Sequence, residues 1–351
     1  MSLDNVFMGK KVVQQIYLKN ALIYQSKGWE TLTSAPQVEW TKSYSGTGTG
    51  IVNNCAVDQD NNIYIALQNF IYKISADGLL LWKKAFSGAR KICIDQDNNI
   101  YLAQIALYNQ SSTGTTAIIN QLDTNGAVIN RNKVNDYLAS EITGFTCDKN
   151  YLYISSIADS QNQHLYKIDK KLKNSVDLNV NDSIYNLVTS ETSQYIFYNT
   201  DLNLYRFKKD DLKYSPISIS GTHYTIQNMI LDNLGNLIFY DRHSVFKYNI
   251  ETKLVTKMPT LLESNNSTMC IDYQQNFYLI WAYNTSMVNL VKYSSDNTQI
   301  YNSFVIDTAF QGAATNGKLI ADHNGNIYYI YLNSNIEVTV TKIINLVKKG
   351  N

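Results

Sequence analysis

The feature that most constrains this chain is an internal repeat. Residues 55–74 read CAVDQDNNIYIALQNFIYKI, and residues 92–102 read ICIDQDNNIYL. The shared text is two apolar residues, an Asp, a polar turn, and then Ile-Tyr with a further apolar residue. It recurs at Cys147-Asp148 before YLYIS, Leu231-Asp232 before LGNLIFY, Ile271-Asp272 before QQNFYLI and Ala321-Asp322 before HNGNIYYI. A seventh copy, LVTSETSQYIFY from Leu187, has Thr189 in place of the Asp. The anchors at 58, 95, 148, 189, 232, 272 and 322 are spaced by 37 to 53 residues. That period, with about four strands per unit, predicts the blades of a β-propeller.

The rest of each repeat agrees. A third strand carries an apolar–basic–apolar triplet: Tyr72-Lys73-Ile74, Tyr166-Lys167-Ile168, Tyr205-Arg206-Phe207, Phe246-Lys247-Tyr248, Val291-Lys292-Tyr293 and Thr341-Lys342-Ile343. Alternation of period two reads as a half-buried strand with its basic residue on a solvated face. The fourth strand of the first repeat is LLWKKAFSG, and the seventh repeat runs out of chain after its third strand. Residues 38–46, VEWTKSYSG, match that fourth-strand text, with Trp40, Lys42 and Gly46 answering to Trp82, Lys84 and Gly88. The expectation is an all-β, seven-bladed propeller over 37–351. Its last blade is closed by the N-terminal strand, which removes the edges of an open array. Residues 1–36 form a separate arm with a hairpin, VVQQIYL and ALIYQS, around Lys19-Asn20.

The turns between first and second strands (DQDNN, DNLGN, DHNGN) are rich in residues that accept turn conformations. Asp58, Asp60 and Asn62 superficially resemble a calcium loop. Such a loop needs Gly at its sixth position and Glu at its twelfth, where this chain has Ile63 and Asn69, so plain turns are expected. Cys55, Cys93, Cys147 and Cys270 each stand in an apolar strand, in no C-x-x-C pair, and read as small buried hydrophobes. No metal or cofactor is expected.

Lys+Arg is 30 and Asp+Glu 29, so no net field favours nucleic acid or an anionic membrane. No run of 18 apolar residues suggests membrane insertion, and no signal peptide is visible at the N-terminus. Links between second and third strands, and between blades, are the long ones, and in a propeller both emerge on one face. Variable loops on a rigid scaffold are where binding usually resides. That face should carry Tyr108, Tyr137, His223, Tyr224, Trp281, Tyr283 and Phe310. Flat rings beside Asn, Gln and Ser suit the apolar faces and hydroxyls of a sugar.

Catalytic text is sparse. The histidines at 164, 223, 243 and 323 show no metal spacing, and Ser45 to Gly50 is Gly-rich without the residues of a P-loop. Asp241-Arg242-His243 is the one acid–base cluster, in a short loop that a polar surface turn explains equally well. The residues alone therefore point away from an enzyme.

Two resemblances add to this reading. The repeat text is similar to quinoprotein-like propellers, with Gly78-x-x-x-Trp82 as their docking motif, and to streptogramin-lyase-like propellers, whose catalytic residues match no position here. The segment Ile16-Tyr17-Leu18 with Ile23-Tyr24 resembles the N-terminal segment of siphophage tail and baseplate proteins of low-GC Gram-positive hosts, with Gln15 and Lys19 as departures. This second resemblance implies a virion protein in the phage tail or baseplate. Residues 1–36 would grip other tail proteins, and the propeller would bind host cell-wall polysaccharide or teichoic acid. Trimers are common in such assemblies, so a homotrimer is a state it allows. Two alternatives stand beside it: a purely structural baseplate propeller, and an envelope polysaccharide lyase or hydrolase.

Overall fold

In the computed structural model the described residues are 36–344, apart from 46–51, 108–113, 135–138, 160–161, 179, 181–182, 192, 201–202, 211–212, 218, 220–224, 242, 259–266, 285–286, 295–298, 306–316 and 334, together with short strands on either side. Seven four-stranded antiparallel sheets follow one another as blades. Their innermost strands are Asn54–Val57, Ala89–Ile94, Glu141–Cys147, Asn186–Val188, Asn228–Leu231, Ser267–Ile271 and Lys318–Ala321. Each lies against the next around a closed ring. The fold expected from the repeat is the fold observed.

Closure is one plus three. The last blade holds Lys318–Ala321, Ile327–Leu332 and Val338–Ile344, and its outer strand is Gln37–Tyr44 from the other end of the chain. Trp40 lies opposite Lys342 and Tyr44 opposite Val338. Thr41 and Thr341 share a hydroxyl hydrogen bond of 3.1 Å, and Ser43 and Thr339 one of 2.8 Å. The same strand grips the first blade: the Tyr44 hydroxyl donates to the Gly78 carbonyl at 2.9 Å and Lys42 Nζ to that of Asp77 at 2.7 Å.

A tryptophan–glycine dock explains the text shared by residues 38–46 and 80–88. Gly78 has φ +76°, and a Cβ there would stand 3.1 Å from the Trp40 ring. Gly126, with φ +77°, meets Trp82 and Lys84 of the first blade in the same way, and Trp82 Nε1 donates to the Thr124 carbonyl at 3.0 Å. Only a residue without a side chain tolerates both the backbone and the ring. Each outer-strand Trp thus holds the turn of the following blade.

The repeat Asp is a buried clamp. In the last blade Asp322 Oδ1 accepts the backbone N–H groups of Asn324 and Asn326 at 2.9 and 2.8 Å, while Oδ2 accepts Asn326 Nδ2 at 2.8 Å and the Tyr328 hydroxyl at 2.9 Å. Asp58 repeats this set with Tyr64, and Asp272 accepts the Asn276 N–H, Asn276 Nδ2 and the Tyr278 hydroxyl. The carboxylate oxygens are filled by the turn itself, so the turn reading holds over the calcium one. Neighbouring turns are also linked: Gln59 N–H donates to Asn98 Oδ1 at 2.8 Å, Asn233 N–H to Gln275 Oε1 at 2.8 Å, and His323 N–H to Asn61 Oδ1 at 3.0 Å. Asn61, Asn98 and Gln275 hold positive φ, which turns their side chains to the preceding blade.

The basic residue of the third strand departs from expectation. It is not on a solvated face: Lys73, Lys292 and Lys342 are buried. Lys73 Nζ lies 3.7 Å from Asp58 and 5.0 Å from the Tyr64 ring centre, Lys247 is 3.3 Å from Asp232, and Lys342 is 2.6 Å from Glu39. Two more cations cross between blades, Lys170 to Asp95 at 2.6 Å and Lys209 to Asp148 at 2.8 Å. Although burial opposes ionisation of both carboxyls, their lysine and turn hydrogen bonds prevail and hold the pKa below the usual Asp range.

The arm contains the expected hairpin, with Gln15–Leu18 paired to Ala21–Gln25. Val12 and Val13 do not extend it. They belong to Lys11–Val13, which pairs back to Val6–Met8. Trp29–Thr31 pairs with Leu346–Lys348, so the arm meets the far end of the chain just before the closing strand begins.

Replacing one clamp member tests this account. Tyr328→Phe removes one hydrogen bond to Asp322 and should cost about 1–2 kcal/mol, whereas Asp322→Ala leaves several buried donors unpaired and should cost about 2–4 kcal/mol. Equilibrium urea unfolding measures both, and equal losses would refute the clamp.

Candidate functional site

The inner strands enclose a channel with a cavity of about 520 Å³. Each inner strand begins where a link from the preceding blade arrives, so its N-terminal end opens on the loop face. The residue four places before the repeat Asp stands at that end: Asn54, Lys91, Gly144, Asn228, Thr268 and Lys318 in blades 1, 2, 3, 5, 6 and 7. In blade 3 a bulge between Ile142 and Gly144 brings Thr143 into the wall, and in blade 4 Asn186 serves. Cys55, Cys93 and Cys147 are among the residues that line the cavity.

Several of these polar groups are spent on joining blades. Asn53 Nδ2 donates to the Ala89 carbonyl at 3.0 Å, Asn54 Oδ1 accepts the Ile92 N–H at 3.0 Å, and Thr268 Oγ1 accepts the Leu319 N–H at 3.1 Å. Asn186 Nδ2 donates to the Ile226 carbonyl at 3.4 Å. Others remain available. Lys91 and Lys318 make no hydrogen bond or ion pair among the described residues, and the side-chain N–H groups of Asn54 and Asn228 have no protein acceptor. Among the described residues that line the cavity, two are lysines and none is Asp or Glu. The mouth is therefore a surface of donors, and its cationic side is blades 7, 1 and 2, where Lys318, Asn54 and Lys91 occupy one register position.

Lys91 is electrostatically unusual. Burial opposes its charge and the nearby Lys318 ammonium repels it, while Glu141 only partly compensates, so its pKa falls to about 8. A lysine in this range supplies a useful fraction of neutral amine near physiological pH. The folded protein holds this proton less tightly than the unfolded chain does. The resulting penalty on stability is full below about pH 8 and is relieved as pH rises towards the ordinary lysine value. The thiols are the opposite case. Burial pushes Cys55 up to about 12 and raises Cys93 and Cys270, so they stay protonated and are not activated nucleophiles.

The aromatic residues expected on the loop face fall outside what is described of side chains. Tyr108, Tyr137, His223, Tyr224 and Phe310 lie outside the described residues. Trp281 and Tyr283 fall in the strand Phe277–Asn284, where the backbone alone is described. The Asp241–His243 cluster is structural on its carboxylate side: Asp241 is buried and its Oδ1 accepts the N–H groups of His243 and Ser244 at 3.2 and 2.9 Å. His164 Nδ1 lies 2.7 Å from Asp177 Oδ2, but on the two outer strands of blade 3, remote from the channel. Sequence reasoning missed Lys91 and Lys318. Their signal was present: a polar residue at a constant distance before the Asp, opening a strand that is otherwise apolar.

No protein-family model matches the chain, and no curated protein matches it. Solved structures do. A streptogramin B lyase superposes with a TM-score of 0.61 at 10% identity, covering 87% of this chain and 98% of its own. A virginiamycin B lyase from Staphylococcus aureus gives 0.60 at 11% identity, covering 87% and 99%. At such identity the likeness shows a shared propeller fold. It nevertheless corrects the expectation of a non-enzymatic phage tail or baseplate adhesin for host glycan, because both proteins are named as lyases and neither name points to a phage tail. The physical reason for the error is the weight placed on about a tenth of the chain. A short hairpin with Ile-Tyr on each strand is a generic amphipathic pattern. The free chemistry among the described residues lies in the channel instead.

Lys91 should titrate near pH 8 in NMR of the reductively ¹³C-methylated protein. Lys318→Met should move that midpoint up by removing a like charge, and Glu141→Gln should move it down. A Lys91 resonance titrating with the exposed lysines would overturn the assignment.

Proposed function

We propose that this chain is a lyase whose active site is the loop-face mouth of the propeller channel, with Lys91 as the base that removes a carbon-bound proton. One observation carries the reading: a lysine without a hydrogen bond or ion pair among the described residues, with a pKa of about 8, on the wall of a cavity of about 520 Å³. Cavities of roughly 300–1,000 Å³ suit small ligands. Two solved structures with this fold are named as lyases, which supports the same reaction class.

Elimination fits the wall better than glycoside hydrolysis. A hydrolase of that kind generally uses two carboxyl groups, one on each side of the scissile bond. The described lining contains none. Elimination needs one base and a means of stabilising the negative charge that develops on the substrate. In the proposed step the neutral Lys91 amine takes the proton from carbon, and the electron pair left behind forms a C=C bond. The bond to the oxygen on the adjacent carbon breaks, and that oxygen receives a proton from the Lys91 ammonium or from water. No further reactant is consumed. Lys318 sets the poise of the base, since its charge keeps part of the Lys91 population neutral.

Incubation with a panel of envelope polysaccharides and with virginiamycin B, followed by ultraviolet absorbance of the new conjugated double bond, tests the proposal. On the substrate that reacts, Lys91→Met should lower kcat by about 10²–10⁴-fold. Asp241→Asn should leave kcat within about twofold, as expected of a residue away from the reacting atoms. Because the neutral amine is the active form, kcat/KM should climb with pH and level off above about 8. Full activity in Lys91→Met, or no new double bond on any member of the panel, would reject it.

A further inference from the structure

We infer that the substrate bears a carboxylate on the carbon that loses its proton, that Lys318 and Asn54 hold this carboxylate, and that the substrate class is a uronate-containing oligosaccharide. This rests on the lyase reading of the same site.

The first argument is charge. Lys318 lines the cavity with no ion pair among the described residues, and the described wall offers no carboxylate. An isolated ammonium in such a place is costly unless a ligand supplies the anion. A neutral substrate would leave Lys318 unpaired and would bury it further. An anionic one converts the same residue into the strongest contact in the site, because hydrogen bonds between ions are about twice as strong as neutral ones.

The second argument is placement. Lys318, Asn54 and Lys91 sit at one register position on blades 7, 1 and 2, with Asn54 in the middle. Asn54 keeps its Oδ1 for the Ile92 N–H and presents a spare N–H donor. A carboxylate has two oxygens and can take one donor from Lys318 and one from Asn54. The carbon that bears it is then directed to the next blade, which carries Lys91. The proton between the carboxylate and the breaking C–O bond is the one the base must remove.

The third argument is the reaction itself. A proton beside an ionised carboxylate is very weakly acidic, because its loss puts a second negative charge on the same group. A fixed cation at the carboxylate offsets that charge where it develops, which is the largest kind of contribution a binding site makes to such a step. The two lysines therefore have separate tasks, one as base and one as carboxylate anchor. Across the mouth, Asn228, Gln227 and Thr143 offer amide and hydroxyl groups suited to the hydroxyls of the neighbouring sugars. In a uronate linked through the oxygen β to its carboxylate, the C–H bond and the C–O bond break, a C=C bond conjugated with the carboxylate forms, and the departing sugar leaves as an alcohol carrying the proton.

The test uses the full chain with three probes: trigalacturonate, its methyl ester and the neutral galactose trimer. Isothermal titration calorimetry at pH 8, repeated in two buffers of different ionisation enthalpy, reads binding and proton uptake together. Trigalacturonate should bind with uptake of a fraction of a proton, since its charge raises the pKa of Lys91. The ester and the neutral trimer should bind about ten- to hundredfold more weakly. Lys318→Met should erase that preference for the acid, while Lys91→Met should keep it and lose turnover. Thermal melts of both variants confirm folding. Equal binding of acid and ester, or an unchanged preference in Lys318→Met, overturns this inference. Carboxylate-dependent binding with no double bond formed upholds the anchor and removes the lyase reading instead. Turnover confined to a neutral substrate upholds the lyase reading and overturns the uronate one.

Discussion

Ring closure is the constraint on which everything else in this molecule depends. A blade of four strands has an exposed outer edge and an inner strand that is not covered until its neighbours arrive. Seven blades bury their faces only against one another, so the array is complete when the last meets the first. Here the join is made by Gln37–Tyr44, which completes the blade of Lys318–Ile344 while its Trp40, Lys42 and Tyr44 hold the turn of blade 1. The chain is thereby fastened across nearly its whole length, by hydroxyl pairs such as Thr41 with Thr341 and Ser43 with Thr339. A channel of fixed width follows from the closed ring, and the site exists because that channel has a mouth.

The two ends of the channel are built differently from one repeat. At the turn end each Asp is consumed by its own hairpin, by a Tyr of the second strand at Asp58, Asp148, Asp272 and Asp322, and, in several blades, by a lysine. Those charges are balanced and structural. At the loop end the equivalent position in each blade is free to vary, because no turn requires it. Asn, Thr and Lys appear there in turn, some spent on joining blades and some left open. A repeat protein can thus keep one end invariant for folding and use the other for chemistry, within strands only a few residues long.

Much of this was legible in the residues. The Asp-turn-Ile-Tyr text, the Trp and Gly of residues 38–46 and 80–88, and the missing last strand together specify seven blades and their closure. They do so because turn chemistry and strand alternation are local and each copy repeats them. The basic residue of the third strand was misjudged for the complementary reason. Lys73 alternates with apolar neighbours as a solvated residue would, but the repeat Asp58 and the Tyr64 ring lie over it in the folded blade and bury it. Lys91 and Lys318 escaped notice because they are single cations at the head of short strands.

The sequence by itself determined the architecture: the number of blades, the strand that closes them and the turns that separate them, since these follow from patterns a few residues long. The tertiary structure decided which lysines share the channel wall. Lys91 and Lys318 are more than two hundred residues apart, on blades 2 and 7, and no local pattern relates them. Closing the ring sets them on either side of blade 1, where the burial of Lys91 and the nearby Lys318 charge bring Lys91 to a pKa of about 8. That shift is a property of charges brought together in a low-dielectric wall, and it exists only in the closed propeller.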